Sequence, residues 1–187
     1  IKGCSPLTLQ GCPACGCLFF VPRELGEWLI LRPLGSGGMG HVYLACVRQD
    51  PKIRGCAKIV KKGPNADESA IQHLLLEAEM AKSFGEHPNI VKTYSAGRLE
   101  DGAYILMDYV VGPTFLDKIS ANRLGIHPEE CVYYVLDVVD ALARIHECGY
   151  IYRDLNPSNI IIRDEASAVL IDFGLCMGID ESWQERD

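Results

Sequence analysis

Tyr152-Arg153-Asp154-Leu155-Asn156-Pro157-Ser158-Asn159 is the stretch from which the rest of the chain can be read. Two short apolar runs follow it, Asn159 to Arg163 and Ala168 to Ile171, with a turn between them. The second run ends in Asp172-Phe173-Gly174. An aspartate at the end of an apolar strand is poor for folding unless something binds it. Asp154, Asn159 and Asp172 thus arrive in order, 5 and then 13 residues apart, across one short hairpin.

Upstream, the pattern is mostly strands and then mostly helix, which is α+β rather than a repeating βαβ array. Trp28 to Leu34 and His41 to Arg48 are β-prone runs, and Ile53 to Lys61 reads as a third strand. Asp67 to Phe84 reads as a helix with Asp67 as N-cap, Gly85 as stop, and an apolar stripe of Ile71, Leu74, Ala78 and Ala81. Ile90 to Gly97 and Ala103 to Val110 are two further strands. A second helix opens at Pro128 and closes at Gly149, with Val132, Val135, Val139 and Leu142 expected on its inner face.

Between the first two strands lies Leu34-Gly35-Ser36-Gly37-Gly38-Met39-Gly40-His41-Val42. Glycines at 35, 37 and 40 let the backbone approach phosphate oxygens with no Cβ in the way. A dinucleotide-binding loop carries similar glycines but opens a helix, whereas Val42 to Val47 is β-prone. Lys58, inside the apolar run Gly55-Cys56-Ala57-Lys58-Ile59, is costly unless its ammonium finds an anion. Lys61 and Lys62 sit at the polar end of that run and read as solvated. Glu77 follows Leu74 by three residues and precedes Ala81 by four, so it borders the helix's inward face and can pair with Lys58. Glu79 lies roughly 200° around the helix and points to solvent.

Taken together, these segments resemble the catalytic core of the protein kinase family, bacterial-like serine/threonine type, from about Glu27 to Asp187. The resemblance implies a two-lobe fold with a complete N-lobe, an antiparallel sheet plus one helix. Only the first part of the helical C-lobe is expected, the chain stopping in the activation segment. It implies ATP- and Mg2+-dependent transfer of the γ-phosphate to Ser or Thr hydroxyls of protein substrates. By the same match Asp154 orients the substrate hydroxyl, Lys58 holds phosphates beside Glu77, and Asn159 and Asp172 bind magnesium. Leu34, Gly35, Ser36, Gly37, Gly38, Met39 and Gly40 would cover the nucleotide. Val42 would wall the adenine pocket, Met107 would be the gatekeeper, and Asp108 and Val110 belong to the hinge. Cys56 stands where the family usually has Ala, and Tyr152 where it usually has His. Asn156, matched to a catalytic-loop Lys, supplies no positive charge. That departure keeps a pseudokinase, a nucleotide-binding or scaffolding module, as an alternative; a small-molecule kinase is another. The 187-residue chain alone is expected to phosphorylate proteins poorly.

The formal net charge of −7 argues against general nucleic-acid binding, and no run of apolar residues is long enough to span a membrane. Any membrane anchor would lie outside this stretch. Of nine cysteines, four fall within the first 17 residues, an uneven set that suits reduced thiols in the cytoplasm better than a disulfide framework. Residues 1–26 are Cys-, Gly- and Pro-rich and read as a separate appendage, with the kinase-like domain at 27–187. Within the appendage, Cys12-Pro13-Ala14-Cys15-Gly16 has the form of a zinc knuckle, for which Cys4 and Cys17 are candidate further Zn2+ ligands.

Overall fold

The computed structural model describes residues 6–37, 40–63, 68–121, 125–163 and 167–179. The expected helix cap at Asp67 lies outside them. The chain forms two compact units, Ile1–Leu75 with Tyr94–Tyr109, and Leu76–Thr93 with Val110–Asp187.

The first unit begins with a hairpin of β1 (Leu9–Gly11) and β2 (Leu18–Phe20). A six-stranded sheet follows, built from β3 (Arg23–Leu25), β4 (Trp28–Gly37), β5 (Gly40–Val47), β6 (Arg54–Lys61), β7 (Thr93–Leu99) and β8 (Gly102–Asp108). Its spatial order is β3-β4-β5-β6-β8-β7. Residues directly opposite each other in such a ladder share a face. Tyr43, Ala57 and Leu106 form one such row, and with Trp28, Ile30, Ala45 and Ile59 they make a buried cluster. The sheet curls, as strand twist favours. Arg23 on β3 reaches Asp101, in the β7–β8 turn at the far edge, at 2.8 Å. Trp28 and Tyr94 stack across the same gap with ring centroids 5.4 Å apart. Leu7 and Leu25 belong to this same cluster. The Cys-rich stretch expected to stand apart therefore lends a strand and two buried leucines to the sheet.

Helix α1 (Glu68–Ser83) buries Ile71, Leu74, Ala78 and Ala81, the stripe its spacing predicts. Arg98 on β7 holds Glu68 in its first turn at 2.7 Å.

The second unit contains α2 (Phe115–Ala121), α3 (Pro128–Glu147), β9 (Tyr150–Ile151), β10 (Ile160–Arg163), β11 (Ser167–Leu170) and β12 (Met177–Gly178). Pro128 opens α3, and Gly149, at φ 83°, follows its end. The buried stripe of α3 is Tyr134, Val138, Ala141 and Ile145. Val132, Val135 and Val139, expected to face inward, are 54–55% exposed. The helix carries two apolar stripes, and tertiary contacts choose between them. Asp137 accepts the backbone N–H of Ala168 on β11 at 2.7 Å, which turns the Tyr134 side toward that strand. Val135, Val139 and Leu142 line an open groove of about 310 Å³ with Phe115 and Leu155.

The strand expected from Ile90 begins only at Thr93. Asn89 and Val91 instead exchange backbone hydrogen bonds with Leu170 at 2.9 Å, and Ile90 bridges Leu170 in parallel. Helix α2, which no sequence expectation covered, has a local signal: Thr114 Oγ1 accepts Asp117 N–H at 3.0 Å, while the Asp117 carboxylate accepts Thr114 N–H at 3.0 Å. This is a reciprocal capping box.

Because Ile145 is fully buried and Val132 is not, their truncations differ in cost. Ile145→Ala is expected to lose about 2–4 kcal/mol. Val132→Thr is expected to change stability by under about 0.5 kcal/mol. Urea unfolding of the two variants measures both.

Candidate active site

In the first unit the sheet register sorts the candidate residues. Val42, Lys58 and Ile105 lie opposite one another, as do Leu44, Cys56 and Met107. Both rows sit on the face away from the buried cluster. Val42, Lys58 and Met107 thus share one surface. Asp108 alternates to the other face, where it accepts a hydrogen bond from Tyr94 Oη at 3.3 Å. Lys58 is only 7% exposed, although Lys62 is exposed and Lys61 half-buried. A buried ammonium costs several kcal/mol unless its charge is compensated. The adjacent Cys56 thiol is pushed up to about 11 by burial and by the charge of Asp108.

The glycine stretch joins β4 to β5, and Gly38 and Met39 lie outside the described residues. Gly40 and Gly35 are glycines for different reasons. Gly40 has φ 133°, and a Cβ there would sit 2.8 Å from the Ile59 carbonyl oxygen, so the sheet's own packing requires glycine. At Gly35 a Cβ would meet nothing within 4 Å. The packing of the sheet therefore does not dictate glycine at position 35. Leu34 beside it is exposed.

In the second unit the stretch Tyr152–Asn159 is laced by hydrogen bonds among its own polar groups. Asp154 N–H bonds back to the Tyr152 carbonyl at 2.9 Å, closing a three-residue turn around Arg153. Arg153 has φ 64°, a conformation costing a non-glycine residue about 1–3 kcal/mol. The Asp154 carboxylate accepts from Asn156 Nδ2 at 3.1 Å on Oδ1 and from Asn159 Nδ2 at 2.7 Å on Oδ2. Strands β10 and β11 pair antiparallel, with Ile160 opposite Leu170, and the ladder continues through Ile171 N–H to the Asn159 carbonyl at 3.1 Å. That contact sets Asp172 one residue from Asn159's partner. Asp172 Oδ1 accepts Gly174 N–H at 3.1 Å. Phe173 is buried against Phe84 and Tyr152, with ring centroids 5.3 and 6.0 Å away.

With Nδ2 of Asn159 committed to Asp154, the group Asn159 can offer a cation is Oδ1. Asn159 Oδ1 and the Asp172 carboxylate are hard oxygen donors. Two protein ligands of this type fit magnesium, which keeps water and substrate phosphates as its remaining ligands. Glu77 is 4% exposed and Glu79 exposed, the partition the helix spacing predicts. Val110 is buried in the second unit.

Two neighbouring residues, Tyr152 and Cys176, are also perturbed by this setting. The Tyr152 hydroxyl is buried close to the Asn159 side chain. Burial, and then the charge of Asp172, push its ionisation well above the usual tyrosine range. Cys176 is pushed up to about 12, by burial first and then by Glu77 and Asp172. Both lie beside acidic groups in an apolar setting, a combination spacing alone cannot announce.

At the Cys-rich end, Cys12 N–H bonds to the Cys17 carbonyl at 2.9 Å and Gly16 N–H to the Cys12 carbonyl at 2.8 Å, so the knuckle is a closed turn. Among the described residues no three His, Cys, Asp or Glu side chains gather as a metal site, so the expected zinc set at Cys12 and Cys15 is not assembled there. Cys4 lies outside the described residues. Hydrogen bonds with the Cys17 backbone and the Cys12 and Cys17 side chains lower the Cys15 thiol below its usual range.

Residues 28–185 match the family described as protein kinase domain. The chain is 35% identical over 161 residues to the serine/threonine-protein kinase PrkC of Bacillus subtilis, covering 86% of this chain and 24% of that protein. It is 32% identical over 155 residues to the serine/threonine-protein kinase greatwall of Xenopus tropicalis, covering 82% of this chain and 17% of that protein. It is 32% identical over 154 residues to the serine/threonine-protein kinase pkn2 of Myxococcus xanthus, covering 80% of this chain and 18% of that protein. The chain thus spans about a quarter or less of the length of these three relatives.

The thiolate is the reactive form of cysteine. At pH 8 a thiol with a pKa near 12 is ionised to about one part in 10,000, so Cys176 should resist iodoacetamide. Cys15, exposed and with a lowered pKa, should be alkylated first. Peptide mapping over a time course reads the order, and raising the pH should speed Cys176 more than Cys15.

Proposed function

This chain belongs to the protein kinase family, and we propose that it is the nucleotide-binding and phosphoryl-transfer core of an ATP- and magnesium-dependent serine/threonine protein kinase. The observation that carries this reading is the Asp154 carboxylate, with an amide donor on each oxygen and a strained backbone just before it. Such strain persists where the surroundings over-determine it, and it clusters at reactive sites.

In the proposed reaction the oxygen of a substrate Ser or Thr hydroxyl bonds to the γ-phosphorus. The bond from that phosphorus to the bridging oxygen breaks, and ADP leaves with the electron pair. The hydroxyl proton passes to Asp154. Lys58 balances phosphate charge, with Glu77 as the counter-charge the family pattern assigns to it. Leu34 to Gly40 cover the phosphates by backbone approach, for which the open space at Gly35 is the support. Val42 and Met107, on the same sheet face as Lys58, wall the adenine site, and the backbone at Asp108 and Val110 forms the hinge. Magnesium, held through Asn159 Oδ1 and the Asp172 carboxylate, would supply charge neutralisation along the phosphates. The relatives' names support protein hydroxyls as acceptors.

One residue favours a second reading. Asn156 brings no charge to the transferring phosphate, which suits a pseudokinase that binds nucleotide without transfer.

Labelled ATP offered to the complete gene product with protein substrates separates these readings. Transfer is expected, EDTA should abolish it, and Asp154→Ala should lower it by about 10²- to 10⁴-fold. Lys58→Ala and Asp172→Ala should also lose transfer. An intact protein that binds ATP but transfers nothing is a pseudokinase. Transfer to a metabolite and to no protein makes it a small-molecule kinase.

A further inference from the structure

Asn156 has two amide protons and two carbonyl lone pairs to place. Nδ2 donates to Asp154 Oδ1 and to the Asp154 backbone carbonyl, both at 3.1 Å. Oδ1 accepts Ser158 N–H at 3.0 Å and also the Ser158 hydroxyl. The amide's orientation is not arbitrary, because Ser158 N–H can only donate and the Asp154 carbonyl can only accept. All four hydrogen-bonding positions are thus used within the segment Asp154–Ser158, and none is left for a phosphate oxygen.

Asn159 grips the other side in the same manner. Its Nδ2 reaches Asp154 Oδ2 at 2.7 Å and the Asp154 carbonyl at 3.2 Å. Two amides therefore flank one carboxylate, and Asn156 also caps the short turn Pro157–Asn159 through Ser158 N–H. A lysine has three donors and no acceptor. At position 156 it could approach Asp154 but could not accept from Ser158, so the cap would be lost. Aspartate could accept from Ser158 but would set a second negative charge beside Asp154.

We propose that Asn156 is a positioning residue: it holds the Asp154 carboxylate and caps the following turn, and it does not act as a phosphate contact. The loop thereby exchanges a mobile cation for a fixed proton acceptor. This rests on the reading of Asp154 as the group that takes the hydroxyl proton.

The test uses the complete gene product and the variants Asn156→Ala and Asn156→Lys, with casein as phosphate acceptor. Steady-state kinetics are measured alongside hydrogen–deuterium exchange of the segment 152–160. Both variants are expected to lower kcat about 10- to 100-fold while the KM for ATP stays within about twofold. Exchange at the Ser158 amide is expected to speed about five- to tenfold in both, as one hydrogen bond is lost. A kcat for Asn156→Lys equal to or above wild type, or a raised KM for ATP with unchanged kcat in Asn156→Ala, overturns the proposal. So does unchanged exchange at Ser158. Should the wild-type protein transfer no phosphate and match Asp154→Ala, the kinase reading fails, and the exchange result alone then decides the role of Asn156.

Discussion

A single backbone hydrogen bond, from Ile171 N–H to the Asn159 carbonyl, couples the two halves of the candidate metal site. It extends the β10–β11 ladder by one step and so places Asp172 beside a residue 13 positions earlier. Its geometry depends on β11 being fixed from both sides. Asp137 on α3 takes the N–H of Ala168, and Asn89 donates its side-chain amide to the Ala168 carbonyl at 2.9 Å. Asn89 is itself buried, so leaving that amide unpaired would cost about 1–3 kcal/mol. Polar side chains from two distant segments, Asp137 and Asn89, therefore direct their hydrogen bonds to a four-residue strand. The return is the placement of the carboxylate just beyond it.

In the first unit the equivalent constraint is strand register. A slip of one residue would carry Lys58 to the face of the buried cluster and Ala57 to the opposite one. Tyr43, Ala57 and Leu106 prevent this by filling the buried cluster. The same alternation that buries those three aligns Val42, Lys58 and Met107 on the opposite face. The curl of the sheet, closed by Arg23 with Asp101, draws in Leu7 and Leu25 from the Cys-rich beginning of the chain. A segment whose composition reads as an appendage is thereby part of the sheet's core.

Much of this was legible beforehand because each signal is local. Strand runs, the stripe of α1, the inward Glu77 and outward Glu79, and the Gly149 stop follow from periodicity and backbone conformation. The capping box before α2 is equally local. The inner face of α3 was a different matter. Val132, Val135 and Val139 are as apolar as the stripe that is buried, and nothing within the helix ranks the two.

The order of the chemical groups is a property of the chain alone: the glycines, Lys58, Glu77, then Asp154, Asn156, Asn159 and Asp172. Order along the chain is covalent, and residue type sets which charges and hydrogen bonds each position can offer. Folding selects the sheet face that carries Val42, Lys58 and Met107, the stripe of α3 that is buried, and the saturation of Asn156 by its own loop. Those outcomes depend on hydrogen bonds and packing between segments distant in sequence. The departure at Asn156 therefore reads from sequence as a missing charge and from the structure as a complete set of hydrogen bonds around Asp154.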